Sequence, residues 1–129
     1  MLDLDYFKNI NDTYGHDFGD VVLRGVSEFF RENLRDTDFI GRVGGEEFII
    51  VMPNTEKDTA IFVAGRLREE LTQINFGKED LSITMSGGIA SAPEDATEIE
   101  PLTKKADVAL YLAKNQGRNR IVAAGDLTP

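Results

Sequence analysis

Two carboxylates stand side by side on a glycine-built turn, Gly44-Gly45-Glu46-Glu47-Phe48. A purely structural tight turn favours Asn-Gly or Asp-Gly. Adjacent like charges repel, and a cation between them and a further anion removes the conflict. Asp3 and Asp5 lie two positions apart near a strand end, so both side chains can point to the same side. Beside Glu46, this Asp-x-Asp pair makes a candidate divalent-cation site. Hard oxygen ligands suit magnesium, which binds one or two carboxylates, keeps several waters and takes up substrate phosphates. The structural alternatives are a solvated acidic turn and an exposed strand end carrying two solvated acids.

The stretch from Phe7 to Asp20 is the densest in chemistry. Backbone N–H groups in a turn after a strand can cradle phosphate oxygens. Asn11 and Asp20 offer an amide and a carboxylate, which together can read a purine edge. A carboxylate accepting from two N–H groups suits guanine. The plainer alternatives are a turn-forming Asn11 and a helix-start Asp20 favoured by the helix dipole.

These groups sit in 129 residues, enough for one domain burying roughly two thirds of its unfolded surface. Fourteen Lys and Arg against 23 Asp and Glu give a net charge of −9, so no basic footprint for nucleic acid or anionic lipid is present. An acidic protein still binds a polyphosphate when metal ions neutralise the local carboxylates. The absence of cysteine removes disulfides and thiolate metal sites, and a single histidine removes multi-histidine zinc sites. No apolar run approaches the ~20 residues of a membrane span. With Asp3 and Asp5 interrupting the first residues, no signal-peptide pattern opens the chain. Cytoplasmic residence is therefore expected, with a membrane-anchored parent chain left open.

The elements that position these groups alternate between short strands and amphipathic helices. Met1 to Leu4 reads as a strand end, and 5–16 as a polar, turn-rich segment. A helix from about Asp17 to Leu34 carries Val22, Val26, Phe29 and Phe30 on one face. Phe39–Val43 and Phe48–Met52 flank the Gly-Gly pair as a β-hairpin. Thr55 is placed to cap a helix from about Glu56 to Ile74, with Ala60, Ala64, Leu67, Leu71 and Ile74 as its stripe. Leu81, Ile83, Met85 and Gly87 alternate with polar residues, predicting a strand with one buried face. Pro101 suits the first turn of a helix bearing Leu102, Ala106, Ala109 and Ala113, and Gly117 suits its end. Ile121 and Val122 suggest a closing strand. The expected order is β-α-β-β-α-β-α-β, an α+β fold with a mostly antiparallel sheet flanked by helices.

Four separated motifs now stand in order: Leu2 to His16, Gly19-Asp20, Gly44 to Phe48, and Lys114-Asn115-Gln116-Gly117-Arg118-Asn119. Together they resemble the GGDEF family of diguanylate cyclases, in a GGEEF variant, over almost the whole chain. The resemblance implies a palm-like, ferredoxin-related sheet and the condensation of two GTP into cyclic di-GMP and two pyrophosphates. It implies a magnesium site at Asp3, the Leu4 carbonyl and Glu46, with Glu47 as a further ligand. Two magnesium ions per site are expected, with manganese as a substitute. Phe7 and Lys8 match positions whose backbone amides meet the phosphates. Asn11, His16 and Asp20 match guanine or ribose contacts, and Lys114 and Arg118 the cationic pair on the triphosphate. Glu46 and Asp3 are the expected catalytic carboxylates.

One such site holds one GTP, so a homodimer with facing half-sites is expected for catalysis. Arg35-Asp36-Thr37-Asp38 stands where the family carries its product-inhibition site, and Arg66 matches a position that completes it. Arg35 can make bidentate contacts to phosphate or guanine, and Asp38 can accept from a guanine edge. A surface salt bridge is the structural alternative. The family usually shows an upstream segment, so 1–122 is expected to be a catalytic domain lacking its N-terminal helix and part of its first central strand. Residues 123–129 are expected to be a tail, and a sensory or regulatory domain is expected in the parent chain. Two other readings fit the same residues: a non-catalytic module binding GTP or cyclic di-GMP, and another nucleotide cyclase of similar fold. Asn11 and Asp20 speak against the latter.

Overall fold

The computed structural model describes residues 1–127. Its elements are β1 (Leu2–Leu4), α1 (Phe7–Tyr14), α2 (His16–Asn33), β2 (Phe39–Arg42), β3 (Glu47–Val51), α3 (Lys57–Leu71), β4 (Met85–Ile89), α4 (Ile99–Asn115) and β5 (Ile121–Ala123), followed by a 3₁₀ turn (Ala124–Leu127). The five strands form one sheet in the order β2-β3-β1-β4-β5. Three of its pairings are antiparallel, and β4–β5 is parallel. The chain is therefore α+β with a mostly antiparallel sheet, as expected.

Pleating divides the sheet residues between two faces. Leu2, Leu4, Phe48 and Met85 lie in the main core with Val22, Val26 and Phe30 of α2 and Leu67 and Leu71 of α3. Phe30 and Phe48 meet edge-on, with centroids 5.5 Å apart. Each such fully buried side chain contributes about 1.5–3 kcal/mol from area alone. On the opposite face α4 lies directly on β4. A Cβ at Gly88 would overlap the Ala106 carbonyl and the Leu110 amide, so only glycine admits this approach. Ala109 and Ala113 of α4 complete that contact against Val122 of β5.

Three local expectations change. The segment 5–16 is not a turn but carries α1, so the order gains a helix. Phe7 and Ile10, one turn apart, are buried on its inner side, and Gly15 (φ 92°) breaks it from α2. Thr55 does not cap α3. The N-cap residue is Glu56, and the Thr55 hydroxyl is engaged by Pro53 and Arg35. The strand foreseen from Leu81 begins only at Met85, and Ser86 and Gly88 are as buried as Met85 and Gly87. Between β1 and β5, with helices on both sides, β4 has no solvent face. Near the C-terminus Ala123 belongs to β5 and Ala124 is buried. Residues 128–129 of the expected tail lie outside the described residues. No helix among the described residues is long and apolar enough to cross a membrane.

Candidate active site

The acids converge where β1 and β3 end together. Asp3 stands opposite Glu47 in the antiparallel register, and directly opposed residues share a face with Cβ atoms about 4.5–5.5 Å apart. One step further the Leu4 N–H donates to the Glu46 carbonyl at 3.2 Å. The reciprocal bond from the Glu46 N–H to the Leu4 carbonyl is not formed, so the ladder stops at the bend that carries Glu46. Asp3 is buried, while Glu46 and Glu47 are half-buried.

Lys114 reaches this point from α4, its Nζ 2.6 Å from Asp3 Oδ2. The end of α4 is set by backbone bonds. The Arg118 N–H reaches the Ala113 carbonyl at 3.0 Å, and the Gly117 N–H reaches the Lys114 carbonyl at 3.3 Å. This is the paired closure of a Schellman motif, with Gly117 (φ 121°) in the position that favours glycine. Arg118 (φ 64°) and Asn119 (φ 48°) continue in the left-handed region, and the Arg118 guanidinium carbon lies 5.1 Å from the Tyr6 ring centroid.

Asp5 corrects an expectation. Read from sequence, it shares a cation with Asp3. In the structure its two oxygens accept from Ser86 Oγ at 2.7 Å, Thr84 Oγ1 at 2.7 Å and the Asn119 N–H at 2.9 Å. It ties β1 to β4 and to the Lys114–Asn119 turn. No local pattern announces the contact to Asn119.

The α1 N-terminus follows β1 through Tyr6, which is left-handed at φ 57°. The first bond of the helix runs from the Ile10 N–H to the Tyr6 carbonyl at 3.1 Å. The N–H groups of Phe7, Lys8 and Asn9 therefore have no partner inside the helix, and no side chain caps them. At the α1–α2 junction, Asn11 Oδ1 is buried and without a hydrogen-bond partner. It packs against Gly19, where a Cβ would overlap it. His16 and Asp20 lie exposed on the first turns of α2.

The expected inhibitory group is separate. Arg35 holds Asp38 through Nη2–Oδ1 at 2.9 Å and through its own backbone N–H to Oδ2 at 2.9 Å. Its Nη2 also donates to the Pro53 carbonyl and to Thr55 Oγ1. The Arg35 hydrogen bonds hold the Asp38 carboxyl below the usual carboxylate range, and the same bond raises the Arg35 guanidinium. Arg66 Nη2 lies 3.4 Å from the Asn33 carbonyl, two residues before Arg35. A cavity of about 940 Å³ adjoins this group at Pro53 and Thr55, is lined further by Ile49, Ala64, Gly88 and Leu102, and includes none of the acids at the β1–β3 end.

A family model described as "Diguanylate cyclase, GGDEF domain" matches residues 1–120. The chain belongs to the GGDEF diguanylate cyclase family. Among curated GGDEF relatives, it is 39% identical over 131 residues to diguanylate cyclase A of Treponema denticola, covering 100% of this chain and 35% of the relative. It is 40% identical to the response regulator PleD of Caulobacter vibrioides over 126 residues, 95% of this chain and 28% of PleD. The chain thus spans about a third of these relatives' length. Among solved GGDEF structures, the active GGEEF domain of a Vibrio cholerae diguanylate cyclase matches with a TM-score of 0.87 at 39% identity, over 95% of this chain and 79% of that one. The GGDEF domain of DgcB from Caulobacter crescentus, in complex with c-di-GMP, matches at 0.85 and 32% identity, over 96% and 75%.

Against the GGDEF expectations, the structure gathers Asp3, Leu4, Glu46, Glu47 and Lys114 at one end of the central strands. Phe7, Lys8 and Arg118 border that end, and Asn11, His16 and Asp20 surround the α1–α2 junction. Among the described residues no three acidic or imidazole side chains are close enough to hold a metal by themselves. The donor set is nonetheless carboxylate and carbonyl oxygen, which fits a hard divalent cation completed by phosphates and water.

Proposed function

We propose that residues 1–122 act as the catalytic domain of a diguanylate cyclase that condenses two GTP into cyclic di-GMP and two pyrophosphates. The observation that carries this reading is the meeting of Asp3, Glu47 and Lys114. Carboxylates for a metal and a cation for a triphosphate occupy one point, at the end of two central strands. Asp3, Glu46, Glu47 and the Leu4 carbonyl would hold divalent metal, magnesium or manganese. When bound, that metal acidifies the attacking 3′-hydroxyl and neutralises charge on the leaving pyrophosphate.

The chain's own residues position the nucleotide. The free N–H groups of Phe7 and Lys8 face phosphate oxygens, and Lys114 and Arg118 balance triphosphate charge. The orphaned Asn11 Oδ1 accepts from a guanine N–H, and Asp20 and His16 contact the base or ribose. The 3′-oxygen of one GTP attacks the α-phosphorus of the other, the bond to the β-phosphate oxygen breaks, and the hydroxyl proton passes to solvent. Repeating the step from the second nucleotide closes the ring. Each domain presents one nucleotide, so two copies face each other. Arg35, Asp38 and Arg66 bind cyclic di-GMP as a feedback site. A regulatory domain of a longer, cytoplasmic or membrane-anchored chain brings the two copies together.

The test is incubation with GTP and magnesium, with the products separated and identified. Cyclic di-GMP and pyrophosphate are expected, and Glu46→Ala should lower the rate at least about a hundredfold. GTP binding without turnover at high protein concentration would instead make the chain a nucleotide-binding module. Consumption of ATP in preference to GTP would make it a different nucleotide cyclase.

A further inference from the structure

We propose that Lys114 is a stand-in cation for the metal at Asp3, and that its release couples metal binding to capture of the triphosphate. The inference rests on the preceding reading of the site. Asp3 on β1 and Asp5 just past its end are both buried, yet they are neutralised differently. Asp5 has three hydrogen-bond donors and needs no cation. Among the described residues, the side-chain partner of Asp3 is Lys114. A buried carboxylate with neither a counter-charge nor a set of donors is strongly unfavourable, so Asp3, unlike Asp5, calls for a cation, either metal or ammonium.

Lys114 is built to leave. Its side chain is 32% exposed while that of Asp3 is 7% exposed, so the ammonium lies between the interior and solvent. Its backbone is held without help from its side chain. The Arg118 and Gly117 amides close the helix end, Asp5 fixes Asn119, and Arg68 Nη1 donates to Asn119 Oδ1 at 2.8 Å. The four-carbon stem can therefore swing while the turn stays in place.

A divalent ion and an ammonium repel each other, and both would be drawn to the Asp3 carboxylate. Metal arriving at Asp3 frees the Lys114 charge beside itself, where a polyphosphate is the complementary ligand. Without nucleotide, Lys114 and metal exclude each other. With nucleotide, they act together, and the coupling is reciprocal.

The test measures manganese binding to the whole chain without nucleotide, by calorimetry and by water-proton relaxation. Lys114→Met should bind manganese at least about fivefold tighter than wild type, the lower end of ordinary coupling strengths. Lys8→Met, which removes an exposed charge near the same end, should change it less than about twofold. With a non-hydrolysable GTP analogue present, Lys114→Met should bind the analogue more weakly than wild type. Unchanged or weaker manganese binding by Lys114→Met, or a gain no larger than that of Lys8→Met, would overturn the proposal. A second measurement needs no variant: magnesium added to the nucleotide-free wild-type protein should shift the Lys114 side-chain ammonium signal in NMR, and an unmoved signal counts against the exchange. Asp3→Asn separates the two levels. If it abolishes manganese binding while Lys114→Met fails to tighten it, only the exchange is wrong. If Asp3→Asn binds manganese as wild type does, the metal site and the exchange fall together.

Discussion

The Asp5 carboxylate accepts the Asn119 backbone N–H at 2.9 Å, joining positions 114 residues apart and fixing the turn that carries Arg118 to the end of β1. Asp5 thus positions the turn that carries Arg118 through hydrogen bonds to Thr84, Ser86 and Asn119. Asp5→Ala leaves Ser86 Oγ, Thr84 Oγ1 and the Asn119 amide without their acceptor, at about 1–3 kcal/mol for each buried group left unpaired. We expect a lower melting temperature and a raised KM for GTP. Asp5→Asn, which keeps one acceptor oxygen, should recover part of both. Thermal melts and initial-rate kinetics at varied GTP check this.

Asn11 and Gly19 form a second linked pair. A methyl group at Gly19 overlaps Asn11 Oδ1 and displaces it from the α1–α2 junction. Gly19→Ala and Asn11→Ala should therefore have similar consequences, with the KM for GTP rising about tenfold, the value of one good hydrogen bond to a buried acceptor. Discrimination against ATP should fall in both. Competition between GTP and ATP in one reaction reads this directly.

Asp38 gives the protein an acid limb. Its carboxyl is lowered chiefly by the hydrogen bond from Arg35. A carboxyl lowered in the folded state stabilises above its unfolded value near 3.9, and the contribution is lost as pH falls through the folded value. Asp95 acts in the same direction. Burial opposes its ionised form, but hydrogen bonds from Lys57 and the Ser91 N–H, with the charges of Lys57 and Lys105, outweigh that. Melting temperatures of wild type should drop as pH falls below about 4, and Asp38→Asn and Asp95→Asn should each make that drop shallower.

Arg35 covers Asp38, whose side chain is 3% exposed against 55% for Arg35. Under the proposed feedback role, a guanine edge would reach Asp38 only if Arg35 gave way, and Arg35 would then re-pair with the ligand. Arg35→Ala should raise the cyclic di-GMP concentration needed for half-inhibition at least about tenfold, the equivalent of one lost charge-assisted contact. Inhibition curves at fixed GTP measure it.

Periodicity made the long elements legible. The stripes Val22–Val26–Phe30 and Ala60–Ala64–Leu67–Leu71 repeat over several turns, and Gly44-Gly45 marks the hairpin. Helix α1 escaped because only Phe7 and Ile10 bury apolar surface, among Lys8, Asn9, Asn11 and Asp12. The alternation from Leu81 suggested a strand with a wet face, but α4 covers that face of β4, and Ser86 is buried to serve Asp5. In the site, the acids at the hairpin tip were readable because they have no structural reason to be adjacent. The Asp3–Lys114 and Asp5–Asn119 contacts were not, because only the folded sheet brings together residues 111 and 114 positions apart.

The proposed function stands on Asp3 and Glu46 sharing one ion with a nucleoside triphosphate. Anomalous diffraction from crystals grown with manganese and a non-hydrolysable GTP analogue tests it directly. A manganese peak within about 2.0–2.6 Å of a carboxylate oxygen of each residue, with a phosphate oxygen in the same shell, is the predicted result. A peak that contacts neither carboxylate, or a triphosphate bound away from the β1–β3 end with Lys114 still on Asp3, would contradict it.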